Sequence, residues 1–383
     1  MSQDLGHLPI PRCELLALGE PTHQEPAFAL VRNRLFARLV EQGYRSIALE
    51  TDRVAALALD DYVRHGRGTL DAVLADGFTH GFGAQPGNRE LIAWMREFNR
   101  DREPGEQLAC HGFDLPTENT MAPSPRRYLE HVRDHLGLDL DIAALTGEDE
   151  RWSREQAVLD PASSPGETPE AVRLRRIADD LGTRLLLRAP ESIEAGGRDG
   201  WLRAGAHLRA GLGLLRYHAF AAVPGLAPSE RVSGLLGLRD ALMARNLLDI
   251  RTAEAGRGPT LVFSHNAHLQ QAPSSWAGGG LDCRWNGAGR ILGPLLEDRY
   301  VYVAGSLGRS EALGLAAPGP ETYEALLGRR SDAAWALVRP PEPDAGRPRT
   351  DTAPHQGYAF DRASFAGAAA VLHIRDGAAA VRT

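Results

Sequence analysis

Hydrophobic residues occur along the chain in short continuous runs, separated by stretches in which they recur at helical spacing. Six runs predict buried strands, at residues 14–19 (ELLALG), 46–50, 107–114, 260–266, 300–305 and 369–374. Continuous apolar runs are typical of strands covered on both faces, and the first three alternate with helix-period segments, as βαβ units do. The pattern predicts an α/β fold with a mostly parallel central sheet flanked by helices.

The segment between the third and fourth runs has few strand signals and long amphipathic patterns of helical period. We interpret residues 122–250 as an inserted helical subdomain that covers the sheet as a lid. The α/β core then has a first part at 1–121 and a second part at 251–383. Residues 339–358 are rich in Pro, Arg and Asp and predict a long surface loop with little regular structure.

Composition narrows the possible functions. The 383 residues, 43% of them hydrophobic, suffice for a sizeable core, and the net charge of −7 offers no basic field for nucleic acid. Every basic residue is Arg, so a Schiff-base lysine and a Walker lysine are excluded. Three distant cysteines indicate no disulfide framework. Without a signal sequence or an apolar run long enough for a membrane span, we expect a cytoplasmic protein with no membrane or nucleic-acid partner.

Polar side chains stand at the carboxyl ends of four predicted strands. These ends meet at one edge of a parallel sheet, where such folds bind ligands. An alternative is that some of them only cap helices or close turns. The set comprises Glu20 and His23, Glu50, Asp114, and His265 with His268.

The helix predicted after His23 carries an inward arginine. On a helical wheel that starts at Phe28, Arg32 lies within the apolar stripe of Val31 and Leu35, and Arg34 lies almost opposite. A buried Arg needs a partner, so we predict that Arg32 points into the cleft and pairs with a carboxylate. The alternative is an arginine whose aliphatic stem merely covers the edge of the core.

His23 and Glu20 suit general-base catalysis, because a carboxylate can orient an imidazole that deprotonates water. The chain has no G-x-S-x-G nucleophile motif, which favours direct hydrolysis by water over an acyl-enzyme. A second hypothesis takes Glu20, His23, His265 and His268 as ligands of a divalent metal. A third is a protein without catalytic activity that only binds a ligand in the cleft.

Five motifs resemble the erythromycin esterase family and occur in that family's order. The stretch beginning GEPTH at residue 19 resembles its G-E-x-T-H opening, followed by a helix with R-x-R and a strand that ends in Glu. The other four are RELIAWMREFNRD (89–101), HGFDLP (111–116), LRDALMARN (238–246) and FSHNAHL (263–269). The sequence departs from the family at Gln24, where Gly is usual, at Pro26, and in lacking a Trp before His265.

The resemblance implies an α/β core with a helical lid and hydrolysis of a macrolide lactone or another natural-product ester by a histidine-activated water. It implies no cofactor, although a divalent metal stays open. Cyclisation or elimination on a peptide or polyketide is the alternative chemistry, and either antibiotic resistance or biosynthesis fits as a role. The residues expected to be catalytic are His23, Glu20, Glu50, Arg32 and His265. Those expected to bind substrate are His268, Asp114, Asn266, Glu90 and Arg239.

Overall fold

The computed structural model describes residues 11–118, 120–352 and 360–382. The strands in these ranges are β1 (Leu15–Glu20), β2 (Ser46–Asp52), β3 (Ala109–Asp114), β4 (Thr260–His265), β5 (Ser274–Gly278), β6 (Leu281–Trp285), β7 (Tyr300–Arg309), β8 (Trp335–Val338) and β9 (Ala370–Asp376). The helices before the third strand and after the fourth are α1 (Pro26–Glu41), α2 (Ala56–His65), α3 (Leu70–Gly77), α4 (Pro86–Asn99), α12 (Asn266–Leu269), α13 (Ala288–Leu296), α14 (Tyr323–Gly328), α15 (Arg362–Phe365) and α16 (Gly377–Arg382). Those between them are α5 (Arg126–His135), α6 (Ile142–Thr146), α7 (Glu150–Ser153), α8 (Gln156–Leu159), α9 (Pro169–Leu187), α10 (Ala189–Ala221) and α11 (Pro228–Ala253).

Strands from both sides of the helical segment join one seven-stranded sheet in the order β3-β2-β4-β1-β7-β9-β8. All pairings are parallel except that of β8 with β9. The six predicted strands are all present, so the predicted α/β class with a mostly parallel sheet is confirmed. Two features were not predicted, the edge strand β8 and the separate β5–β6 hairpin. That hairpin's turn contains the Gly-rich stretch at 278–280.

Alternation along each central strand sends side chains to two hydrophobic layers. Leu16 and Leu18 pack with α1, α2 and α4 on one face of the sheet. Leu15 and Ala17 pack with α11 and α13 on the other face. Because both faces are covered by helices, the strands read in the sequence as continuous apolar runs rather than as alternating ones.

The helices between β3 and β4 form a helical layer over the second of these two faces. Within it α11 packs on the sheet, whereas α5, α6, α7, α9 and α10 share a hydrophobic cluster of their own, which includes Trp152, Leu174, Leu181 and Leu208. The helix α10 is interrupted at Gly197, whose φ of 76° is left-handed. The division of the chain at residues 121 and 250 stays a prediction. Residues 339–352 carry turns and an isolated bridge from Thr322 to Arg347, and 353–358 lie outside the described residues. In the described ranges, no helix has both the length and the hydropathy of a membrane span.

The carboxyl ends of β4, β1 and β7 approach one another too closely for a side chain at two glycines. The amide of Asn266, directly after β4, donates to the carbonyl of Gly305 (2.8 Å) and accepts from its N–H (2.9 Å). A Cβ at Gly19 would lie 2.1 Å from Asn266 Oδ1, and one at Gly305 would lie 2.3 Å from the Gly19 carbonyl oxygen. This contact fixes Glu20 and His265, which are paired in register, at the edge of the sheet.

Replacing Gly305→Ala should therefore destabilise the protein. The added methyl overlaps the backbone of β1, and overpacking of this kind typically costs about 1–3 kcal/mol. We expect a lower midpoint in urea denaturation, monitored by circular dichroism.

Gly200→Ala in α10 is the control, since a Cβ there meets no atom within 4 Å. Alanine in a helix should leave stability unchanged or raise it by about 0.5–1 kcal/mol. Equal effects of the two substitutions would show that the close approach of β1 and β7 does not constrain residue 305.

Candidate active site

A cleft of about 850 Å³ opens at the carboxyl ends of the central strands, between the sheet edge and the helical layer. Its floor carries His23, Glu50, Arg239, His265 and His268. Its apolar wall comes from the helical layer and the hairpin, with Val158, Leu159, Val232, Leu235, Leu236 and Trp285. The predicted convergence of strand-end side chains is thus present for most of the set.

His23 lies in the turn between β1 and α1, with one ring nitrogen on a carboxylate. Its Nδ1–H donates to Glu20 Oε1 at 2.7 Å, and its Nε2 faces Glu50 Oε2 at 3.7 Å. The ring packs against Phe82 with 4.9 Å between centroids and edge-on against His265 at 5.4 Å. About 30% of the side chain is exposed. This leaves Nε2 available to a molecule in the cleft.

The charges around His23 set its protonation. Burial lowers the pKa of His23, but the negative charge of Glu50 and the hydrogen bond to Glu20 raise it by more, so the pKa is about 9. Burial also keeps the pKa of Glu20 above its ordinary value, although His23 acts to lower it. In the free protein at neutral pH the imidazole of His23 is therefore mainly protonated.

Glu50 is a buried carboxylate that faces several cations and donors. A register shift between β2 and β3 after Leu49 places it at the cleft floor. Its Oε2 accepts from Ser264 Oγ (2.5 Å) and from the His265 N–H (3.1 Å). Its Oε1 accepts from Arg239 Nη2 (3.3 Å) and faces His268 Nε2 (3.5 Å). Burial raises the pKa of Glu50, but His23, His268 and Arg239 together hold it well below its ordinary value.

His268 is oriented by Asp240, a residue of α11 that is fully buried. The Nδ1–H of His268 donates to Asp240 Oδ1 at 2.8 Å. Trp285 Nε1 donates to the other oxygen of Asp240 at 2.8 Å, so the carboxylate cannot rotate freely. Burial lowers the pKa of His268, and Asp240 and Glu50 raise it above the ordinary value.

Arg239 connects Glu50 to a second buried carboxylate. Its Nε and Nη2 donate to the two oxygens of Asp114, which is fully buried. Burial raises the pKa of Asp114, but Arg239 and His80 bring it down to about 2. His80 Nε2 lies 3.1 Å from Asp114, and its Nδ1 lies 2.8 Å from Glu118. Acids and bases thus alternate along the floor.

His265 has both ring nitrogens bound to the backbone. Its Nε2–H donates to the Pro21 carbonyl (2.7 Å), and its Nδ1 accepts from the Ala267 N–H (3.1 Å). Burial and the nearby charge of His23 lower the pKa of His265 to about 3. It is therefore a neutral ring that packs against His23 and has no nitrogen free to exchange a proton with a substrate.

The prediction for Arg32 is correct for its burial but not for its place, since Arg32 lines a small pocket with Glu20 and His23 and does not line the cleft. The side chain is buried on the inward face of α1, and Arg34 is half-buried and donates to the Ala380 carbonyl. The predicted carboxylate partner is wrong, since no described carboxylate lies within ion-pair distance of Arg32. Its N–H groups donate instead to neutral oxygens, and its guanidinium lies over a ring. The oxygens are those of Asn33, Asn88 and the Gly87 carbonyl, and the ring is that of Phe263.

Two residues predicted to bind substrate lie elsewhere. Asn266 is buried, and its amide is taken up by Gly305 and Tyr302, so it joins strands and does not line the cleft. Glu90 is exposed on α4 and accepts from Asn33 Nδ2 at 3.2 Å, outside the cleft. Sequence motifs placed both near the site, but neither side chain points into it.

His80, Glu118 and Asp240 belong to the site, although no sequence pattern assigned them to it. Asp240 follows Arg239 directly in the LRDALMARN motif, so that motif held a signal for it. His80 has a left-handed backbone, φ 58°, which is uncommon for a residue other than glycine. No periodicity or spacing in the FTHGFG stretch indicates that conformation or its two carboxylate partners.

The metal hypothesis requires side chains that converge on one point with free lone pairs. Within the described residues, no group of three or more His, Cys, Asp or Glu side chains is arranged to hold a metal ion. His265, one of the four proposed ligands, has no lone pair free, because its Nδ1 accepts a backbone hydrogen bond.

Sequence comparison places most of the chain with one family. The profile of the family described as erythromycin esterase matches residues 39–361, a range that includes Glu50, Asp114 and Arg239 and begins after His23. An erythromycin esterase type II from Escherichia coli is 25% identical over 271 residues, or 69% of this chain. That match spans 62% of the relative's length.

Solved structures share the fold. The erythromycin esterase EreC, as a mutant in its open conformation, has a TM-score of 0.66 and 19% identity, with 97% of this chain and 92% of that one covered. A Bacillus cereus protein gives 0.67 and 17%, with 97% and 91% covered. A succinoglycan biosynthesis protein gives 0.65 and 17%, with 96% and 88% covered. At these identities the likeness is one of fold.

Replacing Glu20→Gln should lower the pKa of His23 toward its ordinary value near 6.5. The substitution keeps a hydrogen-bond acceptor for Nδ1–H but removes the negative charge that stabilises the imidazolium. NMR titration of the ¹⁵N-labelled histidine side chains would follow this, with His23→Asn to assign the signal.

Glu90→Gln is the matched control, because it removes the same charge from an exposed position outside the cleft. It should leave the titration of His23 unchanged. An unaltered His23 pKa in Glu20→Gln would contradict the coupling of the two side chains.

Proposed function

The chain belongs to the erythromycin esterase family, and on that premise we propose that it hydrolyses an ester or lactone of a natural product, with His23 activating water. Family membership supports a hydrolase of the esterase type. The finer proposal rests on the geometry of His23, whose Nδ1 is held by Glu20 while Nε2 faces the cleft. A carboxylate on one nitrogen fixes the tautomer that leaves the other nitrogen as the base.

The reaction needs one proton transfer in each direction. Neutral His23 takes a proton at Nε2 from a water molecule, and the hydroxide attacks the ester carbonyl carbon. The tetrahedral intermediate then breaks its bond to the alkoxy oxygen, which receives the proton from Nε2. The products are a carboxylic acid and an alcohol, and no covalent enzyme intermediate forms.

Positive charge for the developing oxyanion comes from the same floor. Arg239 and His268 both line the cleft, and each is oriented by its own buried carboxylate. Fixed charges of this kind stabilise a transition state without reorganising during the reaction. Glu50 balances them in the absence of substrate, which keeps the floor close to neutral.

The shape of the cleft fits a substrate with a large apolar body. One wall is lined by aliphatic side chains and Trp285, and the opposite floor is charged. Leu159, on that wall, is 42% exposed, which leaves apolar surface for a ligand to cover. We infer from this that the ester belongs to a macrolide or a similar natural product, in resistance or in biosynthesis.

Mass spectrometry with a panel of macrolides, linear esters and cyclic peptides tests the reaction class, since hydrolysis adds one water. On a hydrolysed substrate, His23→Asn should lower kcat by about 10²–10⁴-fold, as loss of a general base does. Glu20→Gln, compared on the alkaline plateau, should cost less, because it orients the base and does not transfer the proton. Glu90→Gln, outside the cleft, should retain full activity, and a chelator should leave all rates unchanged.

A His23→Asn enzyme that keeps its kcat would remove this histidine from the mechanism. Loss of activity with chelator, restored by one added metal, would favour the metal hypothesis instead.

The pH dependence follows from the raised pKa of His23. Below about pH 9 the imidazole is mostly protonated and cannot accept a proton from water. We therefore expect kcat/KM to rise with pH and to level off above about 9. In Glu20→Gln the rise should come at lower pH, because the same substitution lowers the pKa. A rise centred near the ordinary histidine pKa in the wild type would contradict this assignment.

A further inference from the structure

His80 is anchored more firmly than a loop residue usually is. The N–H of the preceding Thr79 donates to Thr51 Oγ1 at 2.8 Å, and Thr79 Oγ1 accepts from the Asp52 N–H at 3.2 Å. Both partners belong to the end of β2, two residues beyond Glu50 at most. The loop after α3 is thus locked to the strand that carries the buried carboxylate of the site.

The backbone of His80 has an unfavourable conformation, with φ at 58°. A residue other than glycine in this region typically costs about 1–3 kcal/mol, and such residues cluster at functional sites. Glu118 stabilises this conformation by accepting two hydrogen bonds from His80. Its Oε1 accepts from the His80 N–H (2.7 Å) and its Oε2 from Nδ1–H (2.8 Å).

The other ring nitrogen is directed at the second carboxylate of the floor. His80 Nε2 donates to Asp114 Oδ2 at 3.1 Å, on the same oxygen that Arg239 contacts through Nη2. Arg239 Nη2 also reaches Glu50 Oε1 at 3.3 Å. Since Asp114 is fully buried, its position depends on these donors and on the Leu115 N–H.

We propose that His80 is a positioning residue of the active site, which as an imidazolium holds Asp114 and Arg239 so that Glu50 is fixed opposite His23 Nε2. It donates from both nitrogens to carboxylates, so it has no proton to give a substrate. It acts through Asp114, Arg239 and Glu50. The expected effect of His80 on catalysis rests on the proposed function. The expected effect of His80 on the charges of the site does not depend on the proposed function.

The charges that face each histidine define the expected result. Asp114 and Glu118 contact His80, with Arg239 and Glu50 beyond them. Glu20, Glu50 and Arg239 act on the pKa of His23, beside the neutral ring of His265. Removing the positive charge of His80 takes a repelling cation away from His23. That loss alone would raise the pKa of His23, whatever the role of the residue. If His80 also positions Glu50, its removal lets Glu50 move away from His23 Nε2, and the pKa of His23 should fall, because Glu50 is the main group that raises it. A residue that only staples a loop would not produce this fall.

The test uses the full chain with ¹⁵N-labelled histidine side chains and two substitutions. His80→Gln keeps polarity and loses the charge. His80→Gly also removes the backbone penalty, because glycine adopts a φ of 58° without strain. In both we expect the pKa of His23 to fall by roughly 0.5, the order expected when one carboxylate moves within a partly buried site.

The kinetic readout is the hydrolysis of p-nitrophenyl butyrate. We expect kcat to fall by roughly 10- to 100-fold, as for a misplaced catalytic group, with KM changed by less than about threefold. The glycine variant separates the two roles of the residue, since it relieves the backbone while removing the ring. It also decides the question if His80→Gln fails to fold.

His111→Gln is the matched control. His111 Nε2 pairs with Glu254 at 2.7 Å and its side chain is 11% exposed, against 15% for His80, but it does not line the cleft. It should reduce stability and leave both the His23 pKa and kcat unchanged.

An unchanged or raised His23 pKa in a folded His80 variant overturns the proposal and leaves His80 as a residue that only anchors its loop. A lowered His23 pKa with no hydrolysis of any ester by the wild type upholds the positioning of Glu50 and contradicts only the proposed function.

Discussion

The site depends on a carboxylate, Glu50, that is buried at the end of a central strand. Taking an ionised carboxyl group out of water is costly unless cations and donors replace the lost hydration. Here Ser264 and the His265 N–H bind one oxygen, and Arg239 binds the other. Each cation in turn requires an anion of its own, which the surrounding helices and loops supply.

This requirement explains why charges alternate through the floor. Arg239 is buried next to Asp114, and His268 next to Asp240, so neither cation is left uncompensated. Asp240 lies on α11 in the helical layer, and His80 lies on the loop after α3. Buried polar networks are rigid when all members are satisfied. The network therefore fixes His23 and joins the two parts of the α/β core to the helices between them.

His23 and His268 differ from His265 and His80 in having one ring nitrogen that only faces Glu50, and His23 is the more exposed of the two, with 30% of its side chain accessible against 9%. Both ring nitrogens of His265 bind the backbone, and both ring nitrogens of His80 bind carboxylates. In contrast, Nε2 of His23 lies 3.7 Å from Glu50 and is open to the cleft. Two carboxylates raise its pKa to about 9, so the resting site stores a proton. An active site built this way favours chemistry at alkaline pH unless the bound substrate changes the balance.

The sequence by itself determined six of the seven strands of the central sheet, the class of fold and most of the floor, because strands buried on both faces leave continuous apolar runs and parallel strands end at one edge. It also determined that Arg32 is buried, since helical period fixes which face a side chain occupies. Tertiary structure alone decided what Arg32 pairs with, that Asn266 joins strands, that Glu90 lies outside the cleft, and that His80 belongs to the site. Hydrogen-bond partners come from segments distant in the chain, and a left-handed backbone such as that of His80 is selected by those partners and not by local preference. Which nitrogen of a histidine remains free is a property of the assembled network, so no pattern in the chain could show that Nε2 of His23 faces the cleft.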